Sequence, residues 1–292
     1  MQPTVKIGGN MKCFYHSADL DGQCSGAIVK LHHPNCELIG INYGDEFPWD
    51  RIEKDETVYM VDFSLQPFTD MERLWRSCRL VWFDHHKSAI QDFLVQGKIQ
   101  NINGILKDGI GACCLVWQGL TENPERPVPT FIKLLAEYDV WNHTDPRTLS
   151  FQYGMRFQKD TSPENQTFWN SLFDIEEVQR ITEIGGTILE YEMQQNNKFI
   201  SSFCFETIFS GLRCICANKG FTNSQLFDSV WDAEKYDAML TFSWRKRKWT
   251  VSLYSNKPGI DVSIIAKENG GGDHKGAAGF QTDDIGIILK GI

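Results

Sequence analysis

An apolar run at residues 80–83, Leu-Val-Trp-Phe, is followed directly by Asp84, His85 and His86. A run of this length between polar residues predicts a buried strand of an open parallel sheet. The carboxyl end of such a strand lies at the edge where α/β folds build their sites. A carboxylate and two imidazoles are unfavourable in an apolar core, but they are good ligands for a divalent metal. Considered alone, the same three residues fit a surface turn equally well.

Two other apolar runs also end in side chains that bind metals. Residues 13–15 lead to His16, Asp19 and Asp21, and residues 58–61 lead to Asp62. A mixed set of carboxylates and imidazoles suits Mn²⁺ or a similar first-row ion better than Ca²⁺. The pattern therefore predicts a divalent metal site at the carboxyl edge of the sheet.

A glycine-rich stretch lies far from these runs, at residues 269–280. Consecutive glycines at Gly270, Gly271 and Gly272 would let backbone N–H groups approach phosphate oxygens closely. His274 and Lys275 follow and could bind the same phosphate. A flexible turn between a helix and a strand is the alternative explanation.

In this order, the four stretches resemble the DHH phosphoesterase family with a C-terminal DHHA1 domain, and the resemblance covers most of the chain. It implies an α/β fold of two domains with the active site in the cleft between them. Residues 1–190 would form a DHH domain, a mostly parallel sheet flanked by helices, with a helical linker at its end. Residues 200–292 would form the smaller α/β DHHA1 domain. The family includes oligoribonucleases, phosphoadenosine phosphate phosphatases and exopolyphosphatase-related proteins.

The resemblance also implies a site for two divalent ions. Mn²⁺ is the favoured ion, and Mg²⁺ or Co²⁺ are the alternatives. The first ion would be held by His16, Asp19 and Asp62, and the second by Asp62, Asp21, His85 and Asp139. Asp139 lies at the end of a predicted helix that carries no sharp motif. The alternative to a metal ligand at this position is an aspartate that caps the helix or is solvated. The spacing of His16 and Asp19 is one residue shorter than in many relatives.

Three further residues would act on the substrate in such a site. Asp84 would orient an imidazole, His86 would contact the scissile phosphate, and His274 would donate to a phosphate when the domains close. Asp273 stands where the family more often has another glycine. A functional role stays open for His143 and for the basic residues 245–248, since exposure to solvent explains them equally well.

The resemblance implies hydrolysis of phosphoesters in short oligonucleotides or in a small nucleotide such as phosphoadenosine phosphate. An exopolyphosphatase is the alternative enzyme, because it needs the same metals but no base pocket. A type II pyrophosphatase is less favoured, because residues 270–279 indicate DHHA1. The alternative of another class is a non-catalytic nucleotide-binding protein, which the complete set of ligands disfavours.

Composition restricts the partners of this chain. The 292 residues carry a formal net charge of −9, which disfavours binding to long nucleic acid by charge alone. The expected partner is a short oligonucleotide or a nucleotide, with no membrane, and a homodimer stays open. Nine cysteines without a CxxC motif indicate reduced thiols. The first ten residues lack the features of a secretory signal, so we expect a cytoplasmic protein.

Alternating strands and helices predict a mostly parallel sheet in the N-terminal part. The predicted strands there are 12–15, 37–42, 57–62 and 79–83, and the predicted helices are 22–31, 67–76, 111–119, 131–138 and 175–197. A break of the last helix near Gly185 and Gly186 stays open. In the C-terminal part, the predicted strands are 203–209, 212–217, 237–244 and 249–254, followed by a helix at 261–268.

Overall fold

A computed structural model describes residues 11–96, 102–121, 123 and 126–290 of the chain. The chain divides into two compact units, Met1–Leu189 and Glu190–Ile292. The first ten residues, which the sequence predicts to carry no secretory signal, lie outside the described residues. None of the helices in the described part combines the length and the apolar composition of a membrane span.

The first unit contains a sheet of five strands, and every neighbouring pair in it is parallel. The strands are β1 (Met11–His16), β2 (Glu37–Ile41), β3 (Thr57–Val61), β4 (Arg79–Asp84) and β5 (Asn103–Leu106). Their order is β2-β1-β3-β4-β5, so β1, β3 and β4 are adjacent at the centre. Side chains at the carboxyl ends of these three strands are therefore brought to one edge.

Helices connect these strands and continue after them. They are α1 (Leu20–His32), α2 (Phe68–Ser77), α3 (Lys87–Gln96), α4 (Ala112–Leu120), α5 (Thr130–Asp139), α6 (Thr148–Arg156), α7 (Gln166–Ser171) and α8 (Ile175–Phe203). The division between the two units falls within α8.

The central strands are buried on both faces of the sheet. In β1, Cys13 and Tyr15 belong to one apolar cluster, which includes Leu115 of α4 and Leu135 of α5. Phe14 points to the opposite face, because side chains alternate along a strand, and it belongs to a second cluster. The interior is therefore apolar on both sides, and the strand ends are where charged side chains can be placed.

The second unit contains a mixed sheet of six strands, in the order β10-β11-β9-β8-β7-β6. The strands are β6 (Cys204–Phe209), β7 (Leu212–Ala217), β8 (Ala238–Arg245), β9 (Lys248–Tyr254), β10 (Gly272–His274) and β11 (Ala277–Thr282). Only the pair β7–β8 is parallel among these described strands. Two short helices, α9 (Val262–Glu268) and α10 (Gly286–Leu289), complete the described part of this unit.

The predicted α/β class is confirmed: a parallel sheet flanked by helices precedes a second unit that has its own mixed sheet. The sequence pattern does not predict strand β5, because Asn103-Gly104-Ile105-Leu106 has only two apolar side chains. Parallel hydrogen bonds to β4 hold it in the sheet in spite of this weak pattern.

Helix α8 is continuous, so it has no break near Gly185 and Gly186. A Cβ atom at Gly185 would lie 1.8 Å from the carbonyl oxygen of Ser150, and one at Gly154 would lie 2.0 Å from that of Ile181. Gly154 and Gly185 therefore allow the backbones of α6 and α8 to touch. A glycine costs a helix only about 1 kcal/mol relative to alanine, which packing of this kind can offset.

The two adjacent glycines of α8 should respond in opposite ways to alanine. Gly185→Ala should lower the free energy of unfolding by about 1–3 kcal/mol or more, because its methyl group meets backbone. Gly186→Ala is the matched control, since its Cβ would lie 3.7 Å from Ser150 Oγ, an ordinary contact. That variant should be neutral or more stable by up to about 1 kcal/mol. Equal urea midpoints for the two variants would contradict the close packing of α6 on α8.

Candidate metal centre

Three adjacent strands deliver polar side chains to the carboxyl edge of the first sheet. His16 is the last residue of β1, Asp62 follows β3 directly, and Asp84 is the last residue of β4. Asp62 has a φ of 57°, in the left-handed region, and its N–H donates to the carbonyl of Phe83 at 2.9 Å. Aspartate adopts this region more readily than most residues do. The chain thus turns sharply at Asp62 while its side chain stays buried.

Two helices supply the remaining carboxylates. Asp19 is the N-cap of α1, where its Oδ1 accepts a hydrogen bond from the N–H of Gly22 at 2.8 Å. Asp21 lies in the first turn of the same helix and is 2% exposed. Asp139 is the last residue of α5 and is partly exposed. The predicted late aspartate is therefore placed by a helix end, beside the strand ends described above.

The carboxylate of Asp21 also holds the start of a distant helix. It accepts hydrogen bonds from the N–H groups of Ala112 at 2.6 Å and Cys113 at 2.9 Å, in the first turn of α4. These are donors that a helix leaves without partners in its own first turn. The residue before them, Gly111, has no capping side chain. Asp21 consequently joins α1 to α4 as well as facing the cluster.

Asp62 lies at the centre of the cluster. Its Oδ2 is 3.6 Å from Nδ1 of His16, which is 2.8 Å from Oδ2 of Asp19. Its Oδ1 is 3.1 Å from Nε2 of His85. The same nitrogen lies 3.0 Å from Oδ2 of Asp139 and 3.8 Å from Oδ2 of Asp21. All six predicted ligands are therefore brought together around one carboxylate.

These side chains form overlapping groups with the composition and spacing to hold metal ions. Within each group, the ligand atoms lie within 4.8 Å of one another. The groups are His16 with Asp19 and Asp62, Asp21 with His85 and Asp139, and Asp62 with His85 and His86. Within the described part of the chain, neither buried oxygen of Asp62 accepts a hydrogen bond of good geometry. The residues thus fit a divalent ion, and their role as ligands stays a prediction.

Crowded carboxylates alter the protonation of this cluster. Burial opposes the charged form of His16, but Asp19 and Asp62 outweigh burial and raise its pKa to about 10. Burial also opposes the charged form of His85, and Asp139 and Asp62 raise its pKa to about 12. Burial and the charge of Asp62 raise the pKa of Asp21. A divalent ion would supply the positive charge that protons supply here, and its binding would release protons.

Asp84 organises the turn after β4. It is fully buried, and its Oδ1 accepts hydrogen bonds from the N–H groups of His85 and His86 at 2.8 and 3.1 Å. The same oxygen accepts from Nδ1 of His86 at 2.6 Å. Burial raises the pKa of Asp84, but the charge of His86 and these hydrogen bonds outweigh it, so the pKa is lowered. Asp84 therefore orients the ring of His86, whose contact with phosphate stays a prediction.

The glycine-rich stretch ends helix α9. Gly270 has a φ of 79°, and its N–H donates to the carbonyl of Lys267. The N–H of Gly271 donates to the carbonyl of Ala266 at 2.8 Å, which completes a Schellman-type cap. Gly272 pairs with Gly279 between β10 and β11. The glycines thus have a structural role, and their predicted phosphate contact, like that of His274 and the exposed Lys275, stays untested.

Aromatic pairs and a cavity lie outside the predicted ligand set. Trp244 and Trp249 face each other across β8 and β9, with ring centroids 5.4 Å apart, and His143 stacks on Tyr138. A cavity of about 240 Å³ beside Asp19, Asp21 and Asp139 is also lined by Gln152 and Arg156. The sequence did not reveal these two residues, because they lie on an ordinary amphipathic helix without a motif.

Comparisons with known proteins bear on the fold. No family model matches the chain. Protein R106 of Acanthamoeba polyphaga mimivirus is 27% identical over 265 residues, which are 84% of this chain and 57% of that protein. The chain thus spans little more than half the length of this relative.

Three solved structures are similar to this chain over more than 90% of its length. The DHH domain of a member of a ribosomal protein family has a TM-score of 0.58 and 13% identity, covering 92% of this chain and 82% of that one. The DHH fold is therefore the fold of this chain. A pGpG-specific phosphodiesterase, PggH of Vibrio cholerae, has a TM-score of 0.53 and 10% identity, with coverages of 94% and 93%. An exopolyphosphatase-related protein of Bacteroides fragilis has a TM-score of 0.50 and 15% identity, covering 94% and 87% of the two chains.

Alanine variants of the two adjacent histidines, His85 and His86, should differ in the amount of metal that they bind. His85→Ala should lower the amount of bound Mn²⁺, because His85 lies within 3.1 Å of two cluster carboxylates. His86→Ala should retain more metal, because its Nδ1 is bonded to Asp84. Elemental analysis of the dialysed proteins measures the difference, with His32→Ala as a control at a helix end. Equal metal loss in the His85 and His86 variants would contradict this division.

Proposed function

We propose that this protein is a phosphohydrolase with two metal ions that cleaves phosphoesters of short oligonucleotides or of small nucleotides such as phosphoadenosine phosphate. One observation carries the proposal: five predicted ligand side chains converge around a sixth, Asp62, at the carboxyl edge of the sheet. The likeness in fold to a phosphodiesterase of Vibrio cholerae supports the reaction class.

The cluster has ligands for two ions, and Mn²⁺ is the ion that we propose. His16, Asp19 and Asp62 would hold one ion, and Asp21, His85 and Asp139 would hold the other with Asp62 shared. When bound, the ions would act as Lewis acids toward the phosphate and would lower the pKa of a water nucleophile. Imidazole and carboxylate ligands together favour a first-row ion such as Mn²⁺ over Ca²⁺.

The side chains of the protein have distinct tasks in this proposal. Four carboxylates would repel a phosphate, so the cluster accepts an anionic substrate only after its charge is neutralised. Asp84 fixes the ring of His86 through Nδ1, which prepares the imidazole to donate to an oxygen of the scissile phosphate. His86 then needs no reorientation when charge develops on that oxygen.

A small substrate agrees with the charge of the chain. A net charge of −9 disfavours long polyanions, which need an extended basic surface. An exopolyphosphatase is the second candidate, supported by the likeness to the exopolyphosphatase-related protein of Bacteroides fragilis. A panel of dinucleotides, phosphoadenosine phosphate and polyphosphate, assayed with Mn²⁺, separates the two.

Removal of the central carboxylate should abolish turnover. Asp62→Ala takes away the group that the two predicted ions share, so kcat on the preferred substrate should fall by at least about 10³-fold. Chelation of wild-type protein should have the same effect, and added Mn²⁺ should restore the activity. The half-buried Asp145, which is ion-paired with Arg147, provides the control variant Asp145→Ala. Full activity in Asp62→Ala with unchanged metal content would contradict the proposed site.

His274 is part of the proposal as a donor to a substrate phosphate. His274→Ala should lower kcat and raise KM together, because one group would hold the phosphate before and during its transfer. Bound metal and the urea midpoint should stay at the wild-type level. Kinetics indistinguishable from wild type on every phosphoester tested would leave the glycine-rich stretch with its structural role alone.

A further inference from the structure

The cavity beside the metal cluster is lined by groups that the proposed chemistry does not use. It has a volume of about 240 Å³, and the carboxylates of Asp19, Asp21 and Asp139 lie on its wall. Sites for whole drug-sized ligands usually have about 300–1,000 Å³. This cavity therefore fits a part of a substrate that extends from a reacting group at the ions.

Arg156 is the cation of this cavity. Its guanidinium lies over the rings of Tyr138 and Tyr153, 5.1 and 5.5 Å from their centroids. Its Nη2 donates to the hydroxyl of Tyr138 at 2.9 Å. No carboxylate of the described residues lies within ion-pair distance of Arg156, although three line the same cavity. The rings thus hold a guanidinium whose charge is not neutralised, and such a group binds phosphate well.

Gln152 lies one turn before Arg156 on α6 and lines the same cavity. It is only 4% exposed, and its Oε1 has no hydrogen-bond partner within the described part of the chain. A buried acceptor without a donor is costly, so the position of this oxygen on the cavity wall favours a ligand that brings a donor. Hydroxyl groups of a sugar can donate to it, whereas a chain of phosphates offers no such donor at neutral pH.

We infer that Arg156 and Gln152 form a subsite for a phosphorylated nucleoside next to the scissile phosphate. Arg156 binds a second phosphate of the substrate, and Oε1 of Gln152 accepts a hydrogen bond from the adjoining sugar. This inference rests on the proposed function and restricts it to substrates with a phosphate on the nucleoside beyond the cleaved bond. Tyr138 contributes by holding the guanidinium in place.

The test compares pGpG with GpG, which differ only in the 5′-phosphate. Wild-type full-length protein with Mn²⁺ should have a higher kcat/KM on pGpG. Arg156→Gln should reduce this preference about 10- to 100-fold, the effect of one charge-assisted contact, and should leave GpG near its wild-type value. Arg147→Gln is the matched control at the other end of α6, where the guanidinium is ion-paired with Asp145. That variant should keep the preference.

The outcomes separate the subsite from the proposed function. The same preference in wild type and in Arg156→Gln, or an equal loss on both dinucleotides, overturns the phosphate contact. Wild-type protein that hydrolyses neither the two dinucleotides nor phosphoadenosine phosphate contradicts the proposed function instead. Binding of pGpG and GpG in Mn²⁺ is then measured without turnover, and the ratio of their Kd values decides the role of Arg156 by the same criterion.

Gln152→Leu tests the sugar contact with a side chain of similar size. The urea midpoint should be unchanged or higher, because a buried acceptor without a partner is removed. The kcat/KM for pGpG and GpG should fall alike, by about tenfold at most for one neutral hydrogen bond. If neither dinucleotide is hydrolysed, the same fall is expected in their affinities. A destabilised variant with wild-type kinetics or affinity would show a structural role and overturn this contact.

Discussion

The crowding of like charges around Asp62 is the constraint on which the rest of the site depends. Four carboxylates share a small volume, and the imidazoles of His16 and His85 face them at close range. Such an arrangement is unfavourable unless positive charge enters it. Protons on His16 and His85 neutralise only part of the negative charge. The charge of the cluster therefore favours the binding of cations over the binding of anions.

The architecture of the sheet makes this crowding achievable. Both faces of the central strands are covered by apolar side chains, and the order β1-β3-β4 places three strand ends side by side. Charges concentrated at one edge leave the core undisturbed. Backbone groups then fix each side chain, as the N–H groups of His85 and His86 fix Asp84. Rigid elements thus hold the side chains of the cluster, which limits the free energy lost in bringing them together.

The fold class and the convergence of the predicted ligands followed from sequence, because apolar runs that end in Asp or His carry a strong local signal. Strand β5 could not be predicted from sequence, since its place in the sheet comes from hydrogen bonds with β4. The sequence also could not show that Gly185 allows two helices to touch, or that Arg156 lines the cavity. Those properties depend on partners distant in the chain, and no local pattern records them.

The double use of Asp21 has a consequence for how this protein can change over time. Its carboxylate faces the cluster and also accepts the hydrogen bonds that begin α4. A descendant that no longer used the cluster could not discard this residue freely, because two buried N–H groups would lose their acceptor. The scaffold would thus favour an aspartate at this position whether or not the cluster is in use, and an intact Asp21 alone would say little about the function of a descendant.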